Sequence, residues 1–582
     1  MLDLPQIFAP ECSMFRSALA VALMTIANSA LLDAQRASAA PPPIRPPTMA
    51  GRSPVYAPNG IAATSQPLAT TAAIMTMERG GNAIDAAVAA AAVLSVVEPM
   101  MTGIGGDMFA VVWSAKDKRL YALNASGRAG ALMTREELLK RGRTTRVQRG
   151  PESVTVPGAL AGWQALLDRF GTMKLAQVLE PAIGYADGGF PVTPVISRDW
   201  GNANALMRDP GMKATFLLDS TRVPKAGDWF RNPTYATTLR AIAKSGPDYL
   251  YKGPLGEKIV NFLHEKGGFL TLDDLKNNAP TWVTPLSVLF HGYRVWEMPP
   301  NNQGIATLEM LRILEPYDLK AMGQNSAPYL HTLIEAKKLA YADLAQYDGD
   351  ADHLTVQPSY LLSDPFIAER RSHIDPNHAM AHTDPGPERT SSETIYLTVA
   401  DKDGNMVSFI NSQFDEWGSE ISAPGTGFSL QDRGLGFTLE PNLPNTVAPG
   451  KRPFHTLIPG FVTKPGPVPS PDGFGDEPYM SFGLMGGAMQ AQGHAQFLIN
   501  LLVFGMNVQQ AMDAGRFRHN AGLEVEVEPA IPDSVVAALR KLGHTIVFGP
   551  PGDFGGSQAI IKLTKGYVAG SDPRKDGHAA GY

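Results

Sequence analysis

The sequence predicts a mixed α/β (α+β) protein, and three features carry that expectation. Residues from about Val156 to Leu362 are helix-rich, the C-terminal third is rich in strand-forming runs, and residues 394–412 read as strand, turn and strand. In that last unit, β-branched and aromatic residues from Thr394 to Ala400 and from Met406 to Ser412 flank the Gly-bearing turn Asp401-Lys402-Asp403-Gly404. Just upstream, Asp384-Pro-Gly-Pro-Glu-Arg-Thr-Ser-Ser-Glu393 is polar and Pro-rich, which disfavours regular structure. A hydroxyl residue at the seam of a loose segment and a buried strand is a candidate self-processing site. If the Glu393–Thr394 bond is cut, Thr394 becomes an N-terminal threonine that carries both nucleophile and base.

Composition bounds the alternatives. Apolar residues make up 44% of the chain and charged residues 18%, an ordinary globular balance, and a formal charge of −6 gives no cue for nucleic acid. The one cysteine, Cys12, lies in a segment with the parts of a secretory signal. Arg16 supplies positive charge, Ala18 to Leu32 is mainly apolar, and Ala37-Ser38-Ala39 is a small-residue cleavage site. Residues 1–40 therefore read as a signal peptide, with Met14 an alternative start, and the product as secreted or periplasmic. The competing reading is an N-terminal membrane anchor, but the apolar run is short of the ~20 residues a span needs. Without Cys12 the mature chain has no thiol for disulfides, catalysis or metal binding.

Residues 41–54, opening on Pro41-Pro42-Pro43, read as a linker, and the globular part begins near Val55. Pro67 to Arg79 and Ala83 to Val97 predict two helices split by Gly80-Gly81-Asn82. The second is almost uniformly apolar and should be buried; Asp85 and its length exclude a membrane span. Gly103-Ile104-Gly105-Gly106 lacks the spacing and preceding strand of a phosphate loop, so close backbone packing is the better account. Strands are expected from about Val111 to Leu123. Helices are expected over Leu160–Phe170, Leu175–Asp187, Tyr235–Ser245 and Tyr329–Asp348, a scaffold in which no motif carries chemistry. His373, His378 and His382 invite a metal reading, but Pro376 breaks any shared helix face. A flexible tail over about 370–393 fits them better, and no metal or cofactor is expected.

Several of these stretches together resemble the γ-glutamyltransferase family, N-terminal-nucleophile hydrolases made as one self-cleaving precursor. The matches are Gly80-Gly81-Asn82-Ala83-Ile84-Asp85-Ala86-Ala87, Val97-Glu98-Pro99, Gly103 to Asp107, Val156-Pro157-Gly158, Met298-Pro299-Pro300, the Thr394 segment, Lys451-Arg452-Pro453, Gly486-Gly487 and Ser571-Asp572-Pro573-Arg574. The resemblance implies a four-layer αββα sandwich, self-cleaved into a large subunit (55–393) and a small catalytic subunit (394–582) that stay together as a heterodimer. It implies Thr394 as nucleophile, Ser412 as a hydroxyl partner, and the Gly486 and Gly487 N–H groups as an oxyanion hole. It also places a substrate-binding arginine near Asn124 to Ala129. Strict register puts Ser126 there and Arg128 two residues on, on the same strand face.

The acyl pocket departs from the family pattern. The position of an asparagine that grips the glutamyl amine is Phe414, and a glutamine and aspartate for the same amine fall at Arg433 and Gly436. A serine pair for the carboxylate becomes His455-Thr456. Arg433 would repel an ammonium, and the stretch from Phe437 to Lys451 is short for a lid. The family activity implied is hydrolysis and transpeptidation of γ-glutamyl amides such as glutathione. The altered pocket keeps open the same chemistry on another acyl amide, including an acid such as oxamate or a cephalosporin side chain, since Arg433 and His455 suit an anionic acyl group. A third reading is an inactive scaffold of the same fold.

Overall fold

The computed structural model describes residues 51–201, 203–382, 392–467, 470 and 472–582, with the side chains of 203, 205, 392 and 393 left out. The signal, most of the linker and the segment 383–391 lie outside the described residues. Two seven-stranded sheets dominate. In the first, the hairpin strands Ser392–Ala400 and Met406–Asp415 lie at the centre, flanked by Ile61–Thr64 and His578–Gly581 on one side and Asp107–Ser114, Arg119–Ala125 and Thr281–Val283 on the other. The second runs Val55–Ala57, Tyr567–Ser571, Gly556–Lys562, Glu477–Met485, Gly460–Lys464, Tyr293–Glu297 and Leu286–Phe290, antiparallel throughout.

The central hairpin forms because its turn satisfies itself. Asp401 Oδ1 accepts the N–H groups of Asp403 and Asn405, both at 3.0 Å, and Gly404 takes φ +93°. Alternation then sorts the strand into two cores. Ile395, Leu397 and Val399 pack among helices, whereas Tyr396 and Ala400 pack against the other sheet with Phe109, Phe461 and Ile560. Both faces are covered, which is why the run is apolar without alternation.

Helices close both outer faces, giving the αββα sandwich. Helices Pro67–Glu78, Ala83–Val97, Ala159–Phe170, Leu175–Gly188 and Pro233–Ser245 share the core beneath the first sheet. Helices Gly304–Leu314, Ala327–Tyr347 and Met489–Leu502 cover the second. The Ala83–Val97 helix is buried along its whole length, with Asn82 as its N-cap and Asp85 in its first turn. Asn82 Oδ1 accepts from Ile84 and Asp85, and Asp85 answers by accepting from Asn82, a reciprocal box that satisfies otherwise orphaned donors.

Two expectations change. The helix-rich middle also supplies three strands, Thr281–Val283, Leu286–Phe290 and Tyr293–Glu297, whose short lengths are lost among long helices. The tail is packed up to residue 380: His331 Nε2 meets the Asp375 carbonyl at 2.8 Å, Met380 N–H donates to Glu335 at 2.8 Å, and Ala379 N–H donates to Leu542 at 2.7 Å. No described helix is long and apolar enough to cross a membrane.

Candidate active site

Thr394 sits at an irregularity in its own strand. Glu393 pairs with Phe414 and Ile395 with Asn411, so the register slips across Thr394. The residue is fully buried, and its Oγ1 lies 3.2 Å from Ser412 Oγ on the neighbouring strand. Ser412 Oγ also accepts the Phe414 N–H at 2.8 Å. Phe414 holds φ +85°, a left-handed conformation that a bulky side chain adopts only under constraint. The sequence-predicted hydroxyl pair is thus brought together.

Gly486 and Gly487 reach the same end of the sandwich by strand register. Thr398 Oγ1 touches Ser481 Oγ at 2.5 Å across the sheets, and a Cβ at Gly483 would strike the Tyr396 ring at 2.3 Å. Two residues further down one strand correspond to two further up the other, so Thr394 faces the Met485–Gly486 end. Both glycines have positive φ, +118° and +56°, and they lead into the Met489–Leu502 helix. Their carbonyls accept from Met489 and Gln490, which turns the N–H groups of the same two peptides, those of Gly487 and Ala488, the opposite way at the positive end of a helix dipole.

The acyl-side residues form a second cluster. Arg433 is fully buried, its Nη1 donates to Thr456 Oγ1 at 3.2 Å, and its guanidinium lies 4.2 Å from the centre of the Phe414 ring. Its Nε and Nη2 have no hydrogen-bond partner among the described residues. His455 Nε2 lies 3.1 Å from Asp107 Oδ2, and Nδ1 is without a partner. A carboxylate only accepts, so Nε2 carries the proton and Nδ1 is a bare acceptor. Burial, with Arg433 adding to it, holds the imidazole well below its ordinary range. Burial pushes the Asp107 carboxyl up to about 6, against Arg433 and the Gly127 and Gly158 N–H groups. Burial likewise lowers Arg433 to about 10, which leaves it cationic at neutral pH.

Arg128 keeps other company. It is about one-third exposed, pairs with Asp350 at 3.1 Å and donates to the Gly450 carbonyl at 2.9 Å. Register on a strand face did not predict its direction because the strand ends at Ala125. Gly436 closes the short helical turn Arg433–Gly436, and the run from Phe437 to Lys451 folds back on itself through Thr438, Asn445 and Val447.

Sequence reasoning missed three groups here. Asp107 receives Gly127, Gly158, Gln431 and His455, binding four segments together. Asn301 accepts from Asn124 at 2.9 Å and donates to the Pro453 carbonyl, and Gln303 reaches both Thr456 and Gly487. The signal available was Asn301-Asn302-Gln303 directly after Pro299-Pro300, three amides in a region otherwise read as scaffold. Among the described residues, His331, Glu335 and His544 place ligand atoms within 4.8 Å of one another. The two imidazoles hydrogen bond each other at 2.8 Å and Lys338 Nζ pairs with Glu335 at 2.8 Å, while His544 Nδ1 has no hydrogen-bond partner among the described residues. His373 and His378 instead pair with Glu369 and Asp375 at the surface.

The fold, a self-contained threonine–serine pair at a strand irregularity and a glycine turn at a helix start define an N-terminal-nucleophile amidohydrolase. The γ-glutamyltranspeptidase family model matches residues 69–582, and the chain belongs to that family. Among solved structures it is similar to the cephalosporin acylase from Bacillus halodurans, at 41% identity and TM-score 0.85 over 93% of this chain and 99% of that one. It is 36% identical to the glutathione hydrolase-like YwrD proenzyme of Bacillus subtilis (strain 168), covering 88% of this chain and 97% of the relative. It is 33% identical to the oxamate amidohydrolase proenzyme of Klebsiella pneumoniae, covering 90% and 98%.

Proposed function

We propose that this protein cleaves itself before Thr394 and then hydrolyses small amides whose acyl group carries a carboxylate. In the precursor, Thr394 Oγ attacks the Glu393 carbonyl, the peptide C–N bond breaks, and the resulting ester is opened by water. The freed α-amine, which titrates near ~7.7–8.0, is then partly neutral at physiological pH and takes the proton of its own hydroxyl. Thr394 Oγ attacks the substrate carbonyl, and the tetrahedral oxyanion rests on the Gly486 and Gly487 N–H groups. Collapse expels the amine with a proton, and water or a second amine resolves the acyl-enzyme. Ser412 Oγ, 3.2 Å from the nucleophile, is placed to orient that hydroxyl.

The observation that carries the acyl preference is Arg433: buried, cationic, and with two nitrogens that have no hydrogen-bond partner among the described residues, beside Thr456. A carboxylate matches those donors, whereas the ammonium of a glutamyl group meets a like charge. Relatives named for oxamate and cephalosporin acyl amides are in keeping with this preference, and the glutathione hydrolase-like relative supports a γ-glutamyl reading as the second choice. The signal-like residues 1–40 favour a secreted or periplasmic protein. Gel and intact-mass analysis should show two chains, the smaller starting Thr-Ile-Tyr-Leu, and Thr394→Ala should leave one uncut, inactive chain. Glutaryl-p-nitroanilide should be turned over faster than γ-glutamyl-p-nitroanilide; the reverse order would reject the carboxylate preference while leaving the nucleophile assignment intact.

A further inference from the structure

The glycine turn does not hold itself. Its carbonyl at Gly487 is gripped by Gln303 Nε2 at 2.8 Å, and the same nitrogen donates to the Thr456 carbonyl at 2.7 Å. One amide group therefore ties the oxyanion turn to the acyl pocket, with both of its N–H donors used. Tyr341 bridges the same turn from the other side: its single hydroxyl proton is shared between the Ala488 carbonyl at 2.5 Å and Gln303 Oε1 at 3.1 Å, the shorter contact taking most of it. The backbone of the same loop is fixed as well, since His455 N–H donates to Asn301 and Gln303 N–H to His455. Gln303 and Tyr341 are both buried, and the Tyr341 ring carries Lys337 Nζ 3.9 Å above it. Gln303 and Tyr341 precede the proposed cut, whereas Thr456, Gly487 and Ala488 follow it.

We propose that Gln303 and Tyr341 are positioning residues through which the large-subunit half of the chain aligns the oxyanion donors of the small-subunit half. Neither touches the reacting atoms. They act by fixing the Gly487–Ala488 and Ala488–Met489 peptides that directly follow the two donor N–H groups, which anchors the turn presenting those donors, and such donors work only when held in place before the reaction begins. The inference rests on the proposed Thr394 mechanism and deepens it: the active site is complete only across the two subunits.

Gln303→Glu keeps the shape and the acceptor toward Tyr341 but turns a carboxylate oxygen onto two carbonyls. Assayed with glutaryl-p-nitroanilide and γ-glutamyl-p-nitroanilide, kcat should fall about 10- to 100-fold, less than the ~10²–10³ of a donor removed outright because here the donors are loosened and not deleted, while KM stays within about threefold. Inhibition by butylboronic acid, whose adduct with the threonine hydroxyl is tetrahedral, should weaken by a similar factor. Tyr341→Phe removes one hydroxyl and should cost about three- to tenfold in kcat; it serves as the reading if Gln303→Glu does not fold. A merely structural role lowers Tm and leaves kcat and boronate affinity per folded molecule unchanged, and that result overturns the proposal. So does a loss confined to KM. Thr394→Ala is run alongside: if it retains turnover the mechanism itself fails, whereas an inactive Thr394→Ala beside wild-type rates in both other variants rejects the positioning role alone.

Discussion

Two buried arginine sites in this molecule are built to opposite rules. Around Asp572, every guanidinium nitrogen of Arg574 is engaged: Nε and Nη2 by Glu528, Nη1 by Asp572 and Met512, Nη2 also by Ala514. Arg516 adds Asp572 at 2.7 Å, Ser557 at 3.0 Å and the Phe554 carbonyl at 2.9 Å. Burial alone would raise Asp572, but the two arginines and the Arg574 and Ser557 N–H groups outweigh it and hold the carboxyl below its ordinary range. Arg433 is as buried, yet has one side-chain hydrogen bond and a ring beneath it. A closed network holds elements in place; an open one costs desolvation until a ligand arrives.

The difference can be broken from either side. Asp572→Ala leaves Arg516 without its paired carboxylate and Arg574 with Glu528 alone, and should lower stability by about 3–5 kcal/mol in urea titration. A loss under about 1 kcal/mol would show that the network is not the clamp it looks to be. Arg433→Leu should do the reverse, leaving the urea midpoint unchanged or higher while kcat/KM on glutaryl-p-nitroanilide falls about 30- to 1,000-fold, the ~2–4 kcal/mol of a lost buried charge contact. A neutral acyl anilide should lose much less. Equal losses on both would mean that Arg433 shapes the pocket without reading charge.

A smaller effect is expected where capping alone is removed. Asn82→Ala deletes the acceptor of the Ala83–Val97 helix and should cost about 1 kcal/mol, read as a shifted urea midpoint at constant slope. The smallest effect lies at Asp348, the anionic counterpart of Arg433. It has no cationic partner among the described residues, and burial pushes its carboxyl well above the ordinary range against the Gly349 N–H. The folded state then binds a proton that the unfolded chain releases near ~3.9, so this group's contribution is full below that pH and is lost as pH rises toward the folded value. Asp348→Asn should shrink the drop in Tm between pH 5 and pH 8. An unchanged drop would place the titration elsewhere.

The hairpin was legible because its information is local. A Gly-bearing turn, β-branched flanks and a polar leader set Thr394 at a strand start, and Ser412 followed from hairpin reach. Gly486-Gly487 was legible as a turn after an apolar strand, and the family resemblance supplied its meaning. Arg128 misled because two-residue periodicity holds only while the strand continues, and this one stops at Ala125. Gln303, Tyr341 and Asp107 were invisible because an amide, a phenol and an acid acquire a role only from partners 20 to 348 positions away.

By itself the sequence determined most of the helices and the central hairpin with its turn, since each depends on neighbours within a few positions. Only the tertiary structure decided that one arginine is saturated and another left open among the described residues, and which amide holds the Gly486-Gly487 turn. Those outcomes turn on whether a distant donor arrives within hydrogen-bonding range, and packing of the two sheets sets that distance.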